Sequence, residues 1–299
     1  MAGGTLYVVA TPIGNLGDAT VRALEVLRAV PLIAAEDTRV TRRLLDRYEI
    51  TTRTTSYHAQ SGPGRERELL AHLAAGDDLA LVTDAGTPAV SDPGDGLVAA
   101  WAATGGTVVP IPGASSLLAA VAGSGVAGPR WAFEGFLPRS GRERKERLLA
   151  IAGDPRGAVL FEGPNRVAGT LRDLAMACGP DRGGAVCREL TKLHEQIARG
   201  TLGELAAWAA DGTIPARGEV VIVVGWGLGS AGTAASAASS EASATTARAR
   251  VAQLVAAGMA RGEAARRVAA ETGLPRRSLY AVPDERRDGD GGVAPGGAG

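Results

Sequence analysis

The feature that most constrains the fold is the stretch at residues 79–94, LALVTDAGTPAVSDPG. It begins with four apolar residues typical of a buried strand, continues through small residues with glycines and prolines, and ends at a helical pattern. Open α/β sheets bind ligands in such loops, outside the carboxyl ends of their strands. Because the loop has almost no large side chains, a ligand could hydrogen-bond its backbone directly. The alternative is an ordinary connection, although such connections rarely need about ten residues.

Strand and helix patterns alternate over the first part of the chain. The strand patterns lie at residues 5–10, 32–35, 54–58, 79–82 and 108–111. This alternation predicts one parallel α/β domain, which we place at residues 1–122. A glycine-rich segment at 123–128 predicts a hinge, and a second set of strands (131–136, 158–161, 185–190 and 219–224) predicts a second α/β domain at 123–226.

The C-terminal part has a different composition. Nearly every residue in 227–247 is Gly, Ala, Ser or Thr, which predicts a flexible linker. Three short helical patterns follow in 248–282 and resemble a helix-turn-helix, with Arg276 and Arg277 at the start of the third. A plain helical appendage is the alternative. We expect residues 283–299 to be a disordered tail.

Composition excludes several classes of function. Lys+Arg and Asp+Glu both number 32, so no global field favours nucleic acid, and such a site must be a local patch. Two cysteines and three histidines without ligand spacing predict no metal site. The start of the chain lacks a signal-peptide pattern, and no apolar run reaches the roughly 20 residues that span a bilayer. We therefore expect a cytosolic protein without a membrane anchor.

One basic run is the local candidate for binding RNA phosphates. It reads RSGRERKER at residues 139–147, where glutamates interrupt the basic residues. A mixed run of this kind is commonly the solvated face of a helix. The alternative is a phosphate-contacting patch. Its basic residues are Arg139, Arg142, Arg144, Lys145 and Arg147.

Seven segments, in order over about residues 5–226, carry a resemblance to a known family. They are LYVVATPIGNLGD, AAEDTRVTRRLL, LVTDAGTPAVSDPG, PIPGASS, FEGFLPR, LFEGPNRV and CRELTKLHE. Together they closely resemble the ribosomal RNA small subunit methyltransferase I family, within the tetrapyrrole methylase superfamily. The chain departs from that pattern after the third strand, where it reads HAQSG from His58 to Gly62, so the role of this stretch toward substrate is open.

The resemblance implies an α/β fold of the tetrapyrrole methylase (class III methyltransferase) type. Two α/β domains would hold S-adenosylmethionine in the cleft between them, a small helical C-terminal appendage would follow, and the enzyme would be a homodimer. The implied activity is 2′-O-methylation of a cytidine in the decoding region of 16S rRNA. Two alternatives stay open: C-methylation of a tetrapyrrole precursor, and a non-catalytic RNA-binding factor with the same fold. The implied cofactor contacts are Pro12, Ile13, Gly86, Thr87, Pro88, Val90, Ala114, Ser115, Ser116, Leu160 and Phe161.

A ribose hydroxyl is a weak acid, so methyl transfer to it needs a base or a group that stabilises the developing charge. Candidates at the carboxyl ends of the predicted strands are Glu36, Asp37, Glu162, Glu189, Lys192 and Glu195. Asp37 is also a possible helix cap, and the adjacent Arg39 would lower its pKa and weaken it as a base. We therefore expect Glu36 to act as the base and Lys192 as the charge stabiliser, with Asp37 the further candidate.

Overall fold

The computed structural model describes residues 3–227 and 246–272, with residues 270 and 271 described by their backbone alone. Contacts divide the chain into two units, Met1–Gly232 and Thr233–Gly299, which we describe separately. The first unit contains two five-stranded sheets. In the described ranges, no helix is both long enough and apolar enough to cross a membrane.

The first sheet is entirely parallel, with the strand order β3-β2-β4-β1-β5. This confirms the prediction of a parallel α/β arrangement. Its strands are β1 (Thr5–Val9), β2 (Leu32–Ala35), β3 (Thr54–Ser56), β4 (Leu79–Val82) and β5 (Thr107–Ile111). Its helices are α1 (Val21–Ala29), α2 (Thr38–Arg47), α3 (Pro63–Ala74), α4 (Asp95–Ala103) and α5 (Ser116–Ser124).

Strand β4 is buried along its whole length because helices cover both faces of this sheet. Leu79 and Leu81 pack with α3 and α4, whereas Ala80 and Val82 pack with α1 and α2. The neighbouring strands β1 and β4 therefore send their chains to helices on opposite faces. A crevice opens between their carboxyl ends, as at the topological switch point of other open α/β sheets.

The second sheet is mixed, with the order β6-β7-β10-β8-β9, in which only the β6–β7 pair is parallel. Its strands are β6 (Trp131–Phe136), β7 (Gly157–Glu162), β8 (Gly183–Arg188), β9 (Gln196–Thr201) and β10 (Val220–Val224). Helices α6 (Gly141–Gly153), α7 (Val167–Cys178) and α8 (Leu202–Ala210) cover one face. We predicted neither β9 nor α8. Strand β9 is a half-exposed edge strand without clear alternation, and α8 begins at a capping box, Thr201 with Glu204, that would have revealed it.

Helix α5 covers the other face of the second sheet, so it joins the two halves of the unit. The Arg199 side chain on β9 donates hydrogen bonds to the carbonyl oxygens of Gly123 and Ser124. The first residues of the predicted hinge are thus tied to the second sheet. Gly123 and Ser124 are also the last residues of α5, and the hinge itself stays a prediction.

In the second unit, a helix α9 covers residues 246–256 and α10 covers Arg261–Thr272. Val251, Ala264 and Val268 are buried between them. These are the first two of the three predicted helices, and residues 246–247, which we assigned to the linker, are helical. Residues 228–245 of the predicted linker, the third helix and the tail lie outside the described residues.

Candidate active site

At the switch point, a pair of backbone hydrogen bonds joins the loop after β1, which we call the first loop, to the loop after β4, which we call the second loop. The Thr11 amide donates to the Gly86 carbonyl at 2.8 Å, and the Gly86 amide donates to the Thr11 carbonyl at 3.0 Å. Gly86 has a φ of +86°, which favours glycine. A Cβ there would lie 3.5 Å from Ile13 Cγ2 and 4.0 Å from the Ala114 carbonyl oxygen. The glycine therefore leaves open a small space between three loops.

The loop after β5, the third loop, is the last wall of this space, and we call the space between the three loops the cradle. The Ser115 side chain caps α5 by accepting from the Leu118 amide at 3.4 Å, and Thr87 Oγ1 donates to the Ala114 carbonyl at 3.5 Å. Pro88 is buried, while Val90 and Ser116 are half-exposed. The structure thus brings together the sequence-predicted residues of the first, second and third loops.

The second sheet supplies the facing wall. The Phe161 ring packs edge-on against Phe133, with centroids 4.9 Å apart, and belongs to the same cluster as Ile13 and Ala114. Leu160 was expected to contact the cofactor, but its side chain does not face the cradle. Because side chains alternate along a strand, Leu160 points into the opposite core beneath α6, α7 and α8. Its side chain is therefore not part of the cradle, and only its backbone stays a candidate for a cofactor contact.

Glu36 follows β2 and is held by groups at the end of β4. Thr83 Oγ1 donates to Glu36 Oε2 at 2.6 Å, and the Asp84 amide donates to the same oxygen at 3.3 Å. Oε1 receives no hydrogen bond from any described residue. One carboxylate oxygen is therefore fixed by the fold, and the other is free to accept a proton.

Three further carboxylates surround Glu36. Three hydrogen-bond donors of Arg39, its Nε, its Nη2 and its backbone amide, hold Asp37 as the cap of α2, and the pKa of Asp37 falls to about 2. Burial raises the pKa of Asp92 to about 6, with the Glu36 charge adding to the effect. Burial also raises the pKa of Asp84, and repulsion from Glu36 and Asp37 adds to this, while the Asp37 amide opposes it. Asp37 is therefore a weak base, as we expected from its neighbour.

Lys192 reaches the first loop from the segment after β8. Its ammonium pairs with Glu189 Oε1 at 2.9 Å and with Glu219 Oε2 at 3.1 Å. Burial lowers the pKa of Lys192, but the hydrogen bonds to both glutamates outweigh that effect and raise it. Its aliphatic stem fills the space where Gly14 lacks a side chain. The ammonium is thus held in its charged form.

Lys192 lines a cavity of about 390 Å³ together with Thr83 and Asp84, which follow β4. The predicted base and charge stabiliser therefore lie on one region of the molecule, with Glu36 one hydrogen bond behind the lining. Sequence reasoning missed Thr83, Asp92 and Glu219. The only sequence signal of Thr83 and Glu219 is their place next to a strand, and Asp92 lies within the loop between β4 and α4.

The remaining carboxylate candidates have structural contacts. Glu162 is 3 % exposed, accepts from Thr170 Oγ1 at 2.6 Å and pairs with Arg166 at 3.2 Å. Glu195 Oε2 accepts from the Thr191 amide at 2.6 Å. The backbone of His58 closes a turn with Ser61 by two hydrogen bonds, and its ring Nδ1 accepts from the Gln60 amide at 3.2 Å. These contacts occupy the groups within the fold rather than leaving them for a substrate.

The basic run 139–147 divides into structural and exposed residues, which corrects our treatment of it as one patch. Arg144 is 9 % exposed and bonds Asp173 Oδ2 at 2.8 Å and Thr170 Oγ1 at 3.0 Å. Arg147 pairs with Glu134 at 2.7 Å. Both guanidiniums are committed to the fold because α6 turns them toward β6 and α7. Arg139, Arg142 and Lys145 are exposed.

We expect Arg144→Ala to lower the free energy of unfolding by about 3 kcal/mol, because it leaves Asp173 without its buried partner. The matched control is Arg142→Ala on the same helix, whose ion pair with Glu146 is exposed on both sides. That variant should change the free energy by less than about 0.5 kcal/mol. Urea denaturation followed by circular dichroism measures both, and equal effects would contradict the burial of Arg144.

Comparison with known proteins identifies the family. The sequence profile described as Tetrapyrrole (Corrin/Porphyrin) Methylases matches residues 5–206. A protein of Synechocystis named ribosomal RNA small subunit methyltransferase I is 48% identical over 277 residues, which cover 93% of this chain and 96% of that protein. The protein of that name in Bacillus subtilis is 39% identical over 93% of both chains. The chain belongs to the ribosomal RNA small subunit methyltransferase I family of the tetrapyrrole methylases.

Solved structures share the fold of this methyltransferase family. A cobalt precorrin-4 methyltransferase matches with a TM-score of 0.58 at 19% identity, covering 76% of this chain and 96% of that one. A uroporphyrin-III C-methyltransferase of Thermus thermophilus, complexed with S-adenyl homocysteine, matches with a TM-score of 0.54 at 22% identity, over 75% and 97% of the chains. At these identities the likeness shows the fold alone, so it gives no support to a tetrapyrrole substrate.

Proposed function

We propose that this protein transfers the methyl group of S-adenosylmethionine to the ribose 2′-hydroxyl of a cytidine in 16S rRNA. The observation that carries the proposal is the pairing of two sites at one crevice. One is a neutral cradle of three loops, and the other is a fixed carboxylate and ammonium beside it. Relatives at 38–48% identity are named for methylation of small-subunit rRNA, which supports this substrate class.

The cradle fits this cofactor in size and polarity. The opening at Gly86 is a space that a Cβ would begin to fill, and its walls are apolar at Ile13 and Phe161. Backbone groups of the second loop and the hydroxyl of Ser116 offer hydrogen bonds without net charge, which suits a zwitterionic ligand. The residues that would hold the cofactor are Pro12, Ile13, Gly86, Thr87, Pro88, Val90, Ala114, Ser115, Ser116 and Phe161, with the backbone of Leu160. When bound, it supplies a methyl group activated by a sulfonium.

The residues of this chain must then accept the proton of the 2′-hydroxyl and stabilise the negative charge that develops on its oxygen. Glu36 Oε1 would accept the proton of the 2′-hydroxyl and so make that oxygen a better nucleophile, while Thr83 and the Asp84 amide hold Oε2 in place. Lys192 lowers the energy of the developing negative charge on that oxygen. Glu189 and Glu219 keep the ammonium oriented. Asp37 is the third candidate, weakened by its pairing with Arg39.

The exposed part of the basic run offers a surface for RNA. We expect neutralising Arg139, Arg142 and Lys145 together to weaken rRNA binding and to flatten its dependence on salt by up to about three phosphate contacts, because fewer counterions are released. Cofactor affinity should not change. Filter binding at several salt concentrations measures the slope. An unaltered slope would assign this helix face to solvent.

A homodimer and a cytosolic location belong to the same proposal, supported by the family resemblance. Light scattering of the purified protein tests the first, and cell fractionation tests the second. No specific observation favours the tetrapyrrole substrate or a non-catalytic RNA-binding role.

The direct test is transfer of a labelled methyl group from S-adenosylmethionine. Unmodified 16S rRNA, 30S particles and uroporphyrinogen III serve as parallel acceptors. We expect label in rRNA or in the particle and none in the tetrapyrrole. Label in the tetrapyrrole alone would contradict the proposal, and label in neither acceptor class would favour the non-catalytic alternative.

A further inference from the structure

The cavity beside Lys192 extends well beyond the groups used so far, toward α2. It is lined by residues of the first loop, by one side of α2, by the residues after β4, and by Lys192 and Glu219. Of the residues assigned to the cofactor, only Pro12 and Ile13 contribute to it. The cofactor cradle and this cavity therefore adjoin along the first loop, and they differ in the rest of their walls.

One buried hydroxyl in this lining has no partner. Thr41 on α2 is 4 % exposed, and its Oγ1 is the sole buried side-chain nitrogen or oxygen among the described residues without a hydrogen bond. Buried polar groups are nearly always paired, so such an atom calls for a reason. The Thr41 Oγ1 atom is itself shielded, so it reaches the cavity only by rotation about χ1, and threonine in a helix occupies either of two χ1 rotamers. A bound molecule could supply the missing partner.

The rest of the lining indicates what kind of molecule fits. Leu16, Val40 and Leu44 supply an apolar wall suited to the face of a planar ring. Arg43 lies at the exposed edge and has no ion pair with any described residue. The carboxylate of Asp84, which lines the cavity just after β4, suits an exocyclic amino group such as that of cytosine. These groups match a base, its amino group and a phosphate.

We propose that this cavity is the pocket for the acceptor nucleotide, a pyrimidine nucleotide drawn out of the RNA stack, with the Thr41 hydroxyl as a hydrogen-bonding contact and Arg43 as a phosphate contact. The inference rests on the proposed function. A volume of about 390 Å³ is the size of a site for one nucleotide, so we expect the target to be unpaired or flipped when it binds. A nucleotide seated here places its ribose beside Lys192 and the Glu36–Thr83 pair, at the border with the cofactor cradle.

The test is Thr41→Val, which removes the hydroxyl and keeps the shape of the side chain. Because that hydroxyl has no partner in the free protein, the change should leave the midpoint of urea unfolding unchanged or slightly raised. We expect kcat/KM for 16S rRNA or the 30S particle to fall by about 10-fold or more, with unchanged affinity for S-adenosylmethionine. Thr41→Ser, which keeps the hydroxyl, should stay within about 3-fold of the wild type.

A second arm addresses the phosphate contact. Arg43→Gln should weaken binding of an rRNA fragment and reduce the salt slope by about one, whereas Arg47→Gln, on the same helix but outside the cavity lining, should do neither.

The possible results distinguish an error in the pocket assignment from an error in the proposed function. If the wild type methylates rRNA and Thr41→Val has an unchanged kcat/KM, the pocket assignment is wrong. A loss of S-adenosylmethionine affinity in Thr41→Val would also overturn it, since the cavity would then hold the cofactor. If the wild type transfers no methyl group to rRNA, the proposed function itself fails.

Discussion

Replacing Gly86 with valine is expected to lower the affinity for S-adenosylmethionine by at least about 100-fold. The new side chain would enter the space between Ile13 and Ala114 that we propose for the cofactor. A β-branched residue at a φ of +86° also adds roughly 1–3 kcal/mol of strain, but this strain is present with and without the cofactor and so lowers stability rather than affinity. Each 1.4 kcal/mol or so of lost binding energy is a factor of about ten. Isothermal titration calorimetry measures the affinity, and circular dichroism checks that the variant is folded.

Gly105→Val is the matched control for this experiment. Gly105 has a similar φ of +79° in the turn after α4, and a Cβ there meets nothing within 4 Å. It therefore carries the same backbone strain without approaching the cradle. We expect Gly105→Val to bind the cofactor as the wild type does. Undiminished affinity in Gly86→Val, or an equal loss in both variants, would remove the cofactor from this loop.

Glu36→Gln and Lys192→Met are each expected to lower kcat by about 10²–10⁴-fold, the range typical of general acid–base groups. Glutamine keeps an oxygen that can accept from Thr83 and from the Asp84 amide, so the carboxamide stays in place and only the base is lost. Methionine keeps the apolar stem that packs over Gly14 and removes the charge. Single-turnover methyl transfer at saturating cofactor measures the rate.

The chain offers one matched control for the lysine, because Lys145 is its only other lysine and lies exposed on α6. Lys145→Met should retain kcat, with at most a weaker affinity for rRNA. Cofactor affinity should survive in all three variants. Wild-type kcat in both Glu36→Gln and Lys192→Met would mean that positioning alone drives the reaction, or that Asp37 is the base.

The parallel half of the fold could be predicted because its signals are local. Strand β4 is a run of four apolar residues, and the loop that follows is rich in glycine and proline, so both are readable without knowing the neighbours. The edge strand β9 could not be predicted in this way. Its side chains are half-exposed, and its pairing with β8 is decided by the rest of the sheet.

The candidate site, too, was predictable where its signals are local and not where they depend on distant strands. Glu36 and Lys192 were predicted as residues that follow strands, where parallel sheets place their chemistry. The contacts that fix them were not predictable, since Thr83 and Glu219 meet them only after strands distant in sequence come together. The prediction that the basic run 139–147 forms one patch was wrong for a related reason. Sequence alone does not reveal that α6 turns Arg144 onto Asp173, so a structural arginine was grouped with exposed ones.

The measurement that tests the central claim most directly is the identity of the methylated nucleoside. Unmodified 30S particles are treated with the enzyme and S-adenosylmethionine, the 16S rRNA is digested to nucleosides, and these are separated by liquid chromatography with mass spectrometry. We predict that 2′-O-methylcytidine appears with the wild type and is lost with Glu36→Gln. A base-methylated nucleoside, or a 2′-O-methylated nucleoside other than cytidine, would contradict the account.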